Sequence, residues 1–260
     1  MPTTYAIPNG RTVMDATLYT GTGSAATITN TAGFKPDLVW IKCRSNSGDH
    51  SVTDSVRGAA KTIWTDATYA EETNTLYGYV NAFNSNGFSY QAGGSGISLV
   101  GTNNYTYVAW QWQAGQGTTS SNTSGSITST VSVNATAGFS IVTYTGTGSA
   151  ATIGHGLGVT PAMIIVKERS TTRDWAVWQS TLAGNQVLFL NSTLATQTDT
   201  AVWNNTLPTS SVFSVSTSTY TNQSTGTYVA YCFAEISGFS KFGSYTGNGS
   251  ADGPFVYTGF

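Results

Sequence analysis

The ten residues "YTGTGSAATI" stand at 19–28 and again at 144–153, and a looser copy, "YTGNGSAD", begins at Tyr245. Long-range repetition constrains a fold before any local propensity does. The match extends into the flanks. Lys42, Arg44 and Ser45 of "DLVWIKCRS" stand 125 positions before Lys167, Arg169 and Ser170 of "AMIIVKERS", and Phe88 matches Phe213 at the same offset. "TYVAW" at 106–110 then matches "TYVAY" at 227–231 at an offset of 121, so the copies differ by a short deletion after Phe213. Units of roughly 110 residues are tandem globular domains, because solenoid repeats run only about 20–45. The expected organisation is a first unit at 1–114, a linker at 115–126, a second unit at 127–238 and a remainder at 239–260. Tyr245 to Phe260 spans the same distance as Tyr19 to Phe34. The remainder therefore reads as the start of a truncated third unit, or as a strand docked on another unit or a neighbouring chain.

Each unit reads as β. Val, Ile, Thr, Tyr, Trp and Phe fill the apolar runs, and Gly, Asn, Ser and Pro separate them at short intervals, as in a sandwich or barrel. "LVWI" at 38–41 and "MIIV" at 163–166 do not alternate, which fits central strands covered on both faces. "TYVAWQW" does alternate, with Tyr107, Ala109 and Gln111 on one side and Val108, Trp110 and Trp112 on the other. The fold class is all-β, with tandem antiparallel β-sandwiches and at most one short helix per unit. The helical candidate is 66–83, capped by Asp66, with a long loop as its competitor. The stretch 115–126 is rich in Gly, Ser and Thr and reads as flexible.

The repeated phrase is turn chemistry. Tyr19, Gly21 and Gly23, Tyr144, Gly146 and Gly148, and Tyr245, Gly247 and Gly249 mark the register of the repeat. Glycines there take positive φ at little cost, and Ser and Thr bond back to the chain. No helix follows and no lysine is fixed nearby, so a phosphate loop is not expected.

Charged residues make up only 8% of the 260, and the net charge is −2. That argues against nucleic acid, which calls for a basic patch. A weakly charged surface suits assemblies whose copies do not repel. No apolar run is long enough to insert in a membrane, and the first residues show no secretory pattern. Cys43 and Cys232 sit in apolar runs and read as buried free thiols. His50 and His155 occupy non-equivalent places. His50 with Asp49 is two-thirds of a triad, but no serine nucleophile can be singled out. Asp49/Arg44 and Asp174/Arg169 read as ion pairs at hairpin bases. No spacing suits a metal or a pair of glycosidase carboxylates. Neither enzyme activity, nor a metal, nor a cofactor is expected. Trp64, Trp175, Trp178 and Trp203 lie in less regular segments and are the candidates for an exposed aromatic recognition face.

Taken as an ordered set, "IPNGRTVM", "GFKPDLVWIKCRS", "DHSVTDSVRG", "FNSNGFS", "YVAWQWQAG", "GFSIVTYTGTG" and "GHGLGVTPAMIIVKERS" resemble a family of tandem-repeat virion proteins of tailed bacteriophages. Its members are described as tail-fibre or structural proteins with a repeated β-sandwich domain of unknown function. The resemblance spans almost the whole chain. It implies a jelly-roll or concanavalin-like sandwich per unit and a non-enzymatic protein made in the host cytoplasm and displayed on the virion. It also implies partners among other virion proteins or copies of itself, and contact with host surface glycans. A lectin-like module without a building role is the alternative, and an enzyme that degrades surface polysaccharide is a more distant one.

Overall fold

The computed structural model describes residues 5–94 and 99–259. Runs of β-branched and aromatic residues punctuated by Gly, Asn and Ser give short antiparallel strands. The first half contributes β1 (Met14–Thr20), β2 (Ala26–Thr29), β3 (Leu38–Cys43), β4 (Ser51–Asp54), β5 (Ile63–Trp64), β6 (Gly78–Asn84), β7 (Gly87–Ala92) and β8 (Thr106–Trp112). They form a sheet of order β1-β8-β3-β4-β5 and a smaller one of order β2-β7-β6. The second half contributes β9 (Ser120–Asn122), β10 (Ser129–Asn134), β11 (Phe139–Thr145), β12 (Ala151–Gly154), β13 (Met163–Glu168), β14 (Ala176–Gln179), β15 (Gln186–Phe189), β16 (Gln197–Thr198), the helix α1 (Thr200–Trp203), β17 (Val212–Val215), the helix α2 (Thr219–Asn222) and β18 (Thr227–Phe233). Its large sheet runs β16-β15-β14-β13-β18-β11-β10-β9, and β12 pairs with β17.

The four sheets stack as layers, and the side-chain alternation shows why. In β3, Val39, Ile41 and Cys43 face β7 and its Phe88 and Tyr90. Leu38 and Trp40 point the other way, onto the large sheet of the second half. In β13, Ile164 and Val166 pack towards Phe213 and Val215 of β17, while Met163 and Ile165 face the first half. The non-alternating runs are thus central strands buried on both faces, as their apolar continuity predicts. β8 likewise buries Tyr107, Ala109 and Gln111 and half-buries their neighbours.

The two large sheets meet through the same face of each half. Leu38, Trp40, Val52 and Ile63 share one core cluster with Met163, Ile165, Val177 and Leu188, which occupy the matching repeat positions. Trp112 and its counterpart Phe233 meet edge to face at 6.3 Å. This is the self-complementary contact of a two-fold dimer, made here within one chain.

The repeated turn performs the same task twice. Tyr19 stacks on Tyr107 at 5.0 Å, and Tyr144 on Tyr228 at 5.1 Å. The Tyr19 hydroxyl donates to the Val100 carbonyl and the Tyr144 hydroxyl to that of Thr221. Gly21 N–H donates to the Tyr105 carbonyl and Gly146 N–H to that of Gly226, each at 2.8 Å. Gly23 and Gly148 adopt φ of 72° and 73°. The third copy makes the local turn alone: Gly249 has φ 70°, and Ser250 N–H donates to the Asn248 side chain. Yet Tyr245 is 69% exposed, and nothing packs against Gly247.

Four expectations are corrected. Residues 66–77 form no helix. This segment pairs through Glu72 with Thr62 and runs across the second half before β6, while α1 and α2 put two short helices in the second half rather than at most one. The connector 115–126 is not free. Asp37 is fully buried, and its carboxylate accepts from the N–H groups of Ala114, Gln116 and Gly117 at 2.6–2.7 Å and from the Ser55 hydroxyl at 2.7 Å. β9 then pairs with β10. Finally, Arg169 pairs with Glu71 rather than Asp174, whose carboxylate accepts from Asn191 instead, and Arg44 makes no ion pair with Asp49 among the described residues.

Candidate functional site

The four tryptophans proposed as an exposed face are buried: Trp64 at 3%, Trp175 at 0%, Trp178 at 5% and Trp203 at 2%. Irregular surroundings in the sequence did not mean exposure. Trp178 and Trp203 fill the core of the second half. Trp175 sits between the halves, where its indole N–H donates to the Trp64 carbonyl at 2.6 Å.

Where the halves meet there is a cavity of about 270 Å³ walled mainly by apolar side chains of both halves, among them Leu38, Val52, Trp112, Met163 and Phe233. Tyr231, which also lines it, joins a buried charged network. Arg57 Nε pairs with Asp54 Oδ2, and its Nη1 donates to Glu71 at 2.9 Å. The Tyr231 hydroxyl, from the second half, donates to Asp54 at 2.7 Å. Glu71 also receives both Arg169 Nε and Nη2 at 2.9 Å, the bidentate geometry guanidinium favours. Burial works against the Arg57 charge, but Asp54, then Tyr231 and Glu71, more than compensate and hold its pKa above the ordinary value. Burial alone would raise the Glu71 pKa; hydrogen bonds from Arg169 and the charge of Arg57 override it, and the net shift is downward.

Two buried titratable groups have structural partners. Burial pulls the Lys167 pKa down to about 8. Its ammonium is shut off from solvent and donates to the carbonyls of Glu168 (2.7 Å) and Thr68 (3.3 Å). His155 accepts from Leu157 N–H at Nδ1 and contacts the Thr209 carbonyl through Nε2 at 3.1 Å, which assigns the neutral Nε2–H tautomer. Burial depresses its pKa. His50 stands edge-on to Trp40 at 6.4 Å. Its pKa is lowered, chiefly by burial. Among the described residues no three His, Cys, Asp or Glu side chains converge as metal ligands would.

One groove open to solvent lies beside the charged network. A groove of about 650 Å³ runs between β5 and the segment 66–77, lined by Asp49, Trp64, Tyr69, Glu71, Glu72, Asn74 and Tyr77 with neighbouring small residues and Leu99. Tyr69 is 56% exposed and Tyr77 41%. The Tyr69 ring stands perpendicular to that of Trp64 at 5.7 Å. Asn74 donates to Glu72 and accepts from Tyr77 N–H, each at 2.8 Å. The Asp49 pKa is raised by burial and then by Asp66. The segment is pinned to the second half by Glu71 N–H to the Arg169 carbonyl (2.8 Å) and Arg173 N–H to that of Thr68 (2.9 Å). Sequence reasoning missed Tyr69 and Tyr77. The available signal was two aromatics in an acid-bearing stretch that fits no strand alternation.

These features define an all-β protein of stacked antiparallel sheets, with a core shared by two halves of repeated sequence and a mixed aromatic and acidic groove in the first half, beside the segment that bonds to the second. The chain belongs to the DUF7483 family, a domain of unknown function whose sequence profile matches residues 10–260. No curated protein and no solved structure matches it.

Proposed function

We propose that this chain is a non-enzymatic structural protein of a bacteriophage virion, exposed on the particle in a tail fibre, appendage or capsid decoration and contacting host surface glycans. The observation that carries the reading is the apolar junction between the halves. Matching faces of the two repeats bury one continuous cluster, so the repeats form one layered slab rather than beads on a linker. Such a slab, with few surface charges, serves to build and present rather than to turn over a substrate. The resemblance of the ordered set of phrases to phage virion proteins supports the reading, as does the exposed third copy of the turn, whose Tyr245 is open to a neighbouring virion protein or a second copy of this chain. The test is location. Gold-labelled antibody against the chain, applied to intact particles of the phage that encodes it, is expected to decorate capsid or tail. Absence of the chain from purified particles by mass spectrometry overturns the proposal.

A further inference from the structure

We infer that the groove between β5 and the 66–77 segment is a binding site for an uncharged saccharide. The inference takes its ligand class from the surface role proposed above, but its evidence is the chemistry of the groove. A pyranose presents apolar C–H faces and a rim of hydroxyls, so a site for it needs exposed aromatic faces beside fixed hydrogen-bonding groups. Tyr69 and Tyr77 supply the first: large rings left 56% and 41% exposed on a chain that leaves few of its described aromatics exposed. Asp49, Glu72 and Asn74 supply the second, and carboxylates accept from hydroxyls in strong charge-assisted bonds. The volume of about 650 Å³ falls among ordinary ligand clefts.

The segment is also held in place before any ligand arrives. Glu71 is clamped by Arg57 and Arg169, and Asn74 ties Glu72 to the backbone of Tyr77. A fixed site loses less entropy on binding.

Charge decides the class of sugar. Among the described residues the groove wall carries Asp49, Glu71 and Glu72 and no Lys or Arg. Arg57 and Arg169 are paired with Glu71, and Lys42 is turned to the carbonyls of Asn46 and Gly48. A uronic or sialic acid would meet carboxylates with no free cation in the wall to offset them. Neutral glycans are therefore bound and acidic ones rejected.

The experiment uses the full chain on a printed array of neutral and acidic glycans, followed by calorimetric titration of the best neutral oligosaccharide. Wild type is expected to bind neutral glycans only. Tyr69→Ala and Tyr77→Ala are each expected to weaken binding about tenfold, while each variant still unfolds in one cooperative transition by scanning calorimetry. Glu72→Gln is expected to admit acidic analogues. The inference is overturned if no glycan binds, if acidic glycans are preferred, or if neutral binding survives both tyrosine substitutions. None of these results bears on where the protein lies on a particle, so failure here is distinguishable from failure of the virion assignment.

Discussion

The same glycine in three copies of one phrase should respond differently to the same substitution. A methyl built on Gly21 lands on the Thr102 carbonyl oxygen, with Gly101 C at 2.7 Å and Gly101 O at 2.9 Å. On Gly146 it lands on the Gln223 carbonyl oxygen, with Asn222 C at 3.0 Å. On Gly247 it meets nothing within 4 Å. The obstacles at the first two sites are backbone, so the turn itself must shift. Overpacking of that kind costs about 1–3 kcal/mol. Displacing Gly146 also loosens its 2.8 Å bond to the Gly226 carbonyl, which adds about 0.5–1.5 kcal/mol. Gly146→Ala should therefore cost about 2–4 kcal/mol. For a chain of this size that lowers the melting temperature by roughly 4–16 °C, at about 2–4 °C per kcal/mol. Gly21→Ala should behave alike, and Gly247→Ala should stay within about 0.5 kcal/mol of wild type. Scanning calorimetry of the three single variants reads the difference. Equal shifts at 146 and 247 would refute the argument that the turn matters for what it docks against rather than for its own conformation.

Four further outcomes follow from the same contacts. Asp37→Asn removes a buried carboxylate that accepts three backbone N–H bonds; it should cost about 2–4 kcal/mol and speed hydrogen exchange at 114–117. Arg57→Met leaves the buried Asp54 without its ion-pair partner, while Glu71 keeps Arg169; it should cost about 3–5 kcal/mol, and a double-mutant cycle with Tyr231→Phe should be non-additive, because the two side chains share Asp54. For His155, burial lowers the folded pKa below the ordinary 6.5, so the unfolded chain takes up the proton first. Stability should fall as pH drops below about 6.5, and His155→Gln should flatten that slope in denaturant titrations run at several pH values. Val52→Ile places one more methyl in the wall of the inter-half cavity, with an expected gain of up to about 1 kcal/mol in the same unfolding assay.

Much of the fold was legible because repetition and periodicity are local properties. The runs "LVWI" and "MIIV" reveal their doubly covered strands without any partner being known, since only such a strand tolerates apolar residues on both faces. The alternation of β8 is equally direct. The candidate site was not legible, for a physical reason. Trp175 lies in irregular sequence, yet it packs among residues of the first half and bonds the Trp64 carbonyl, so its burial is set by a contact between distant segments. Asp37 gives no hint that it clamps a connector some 80 positions away. Tyr69 and Tyr77 lie on a segment that Arg57 and Arg169 hold through Glu71, a long-range contact no local pattern reports. Local composition reports which face of a strand is apolar; it does not report what arrives to cover that face.

The junction also shows how a duplicated unit acquires direction. Its apolar contacts are nearly symmetric, Leu38 against Met163 and Trp112 against Phe233 in kind as well as position. By themselves they would let either half pair with a copy of itself. The polar contacts break that symmetry. Arg57 has Leu182 at its repeat position, Glu71 has Thr196, Tyr231 has Trp110 and Trp175 has His50. A half paired with its own copy would bury Arg57 without the Tyr231 hydroxyl, or Tyr231 without Asp54 and Arg57. An uncompensated buried polar or charged group costs more than the same group exposed. The network thus adds little net stability and a large penalty to the wrong pairing, which is the best-attested role of buried ionic groups. The same pairing braces the groove, because Glu71 in its wall is held by Arg169 of the second half as well as by Arg57 of the first.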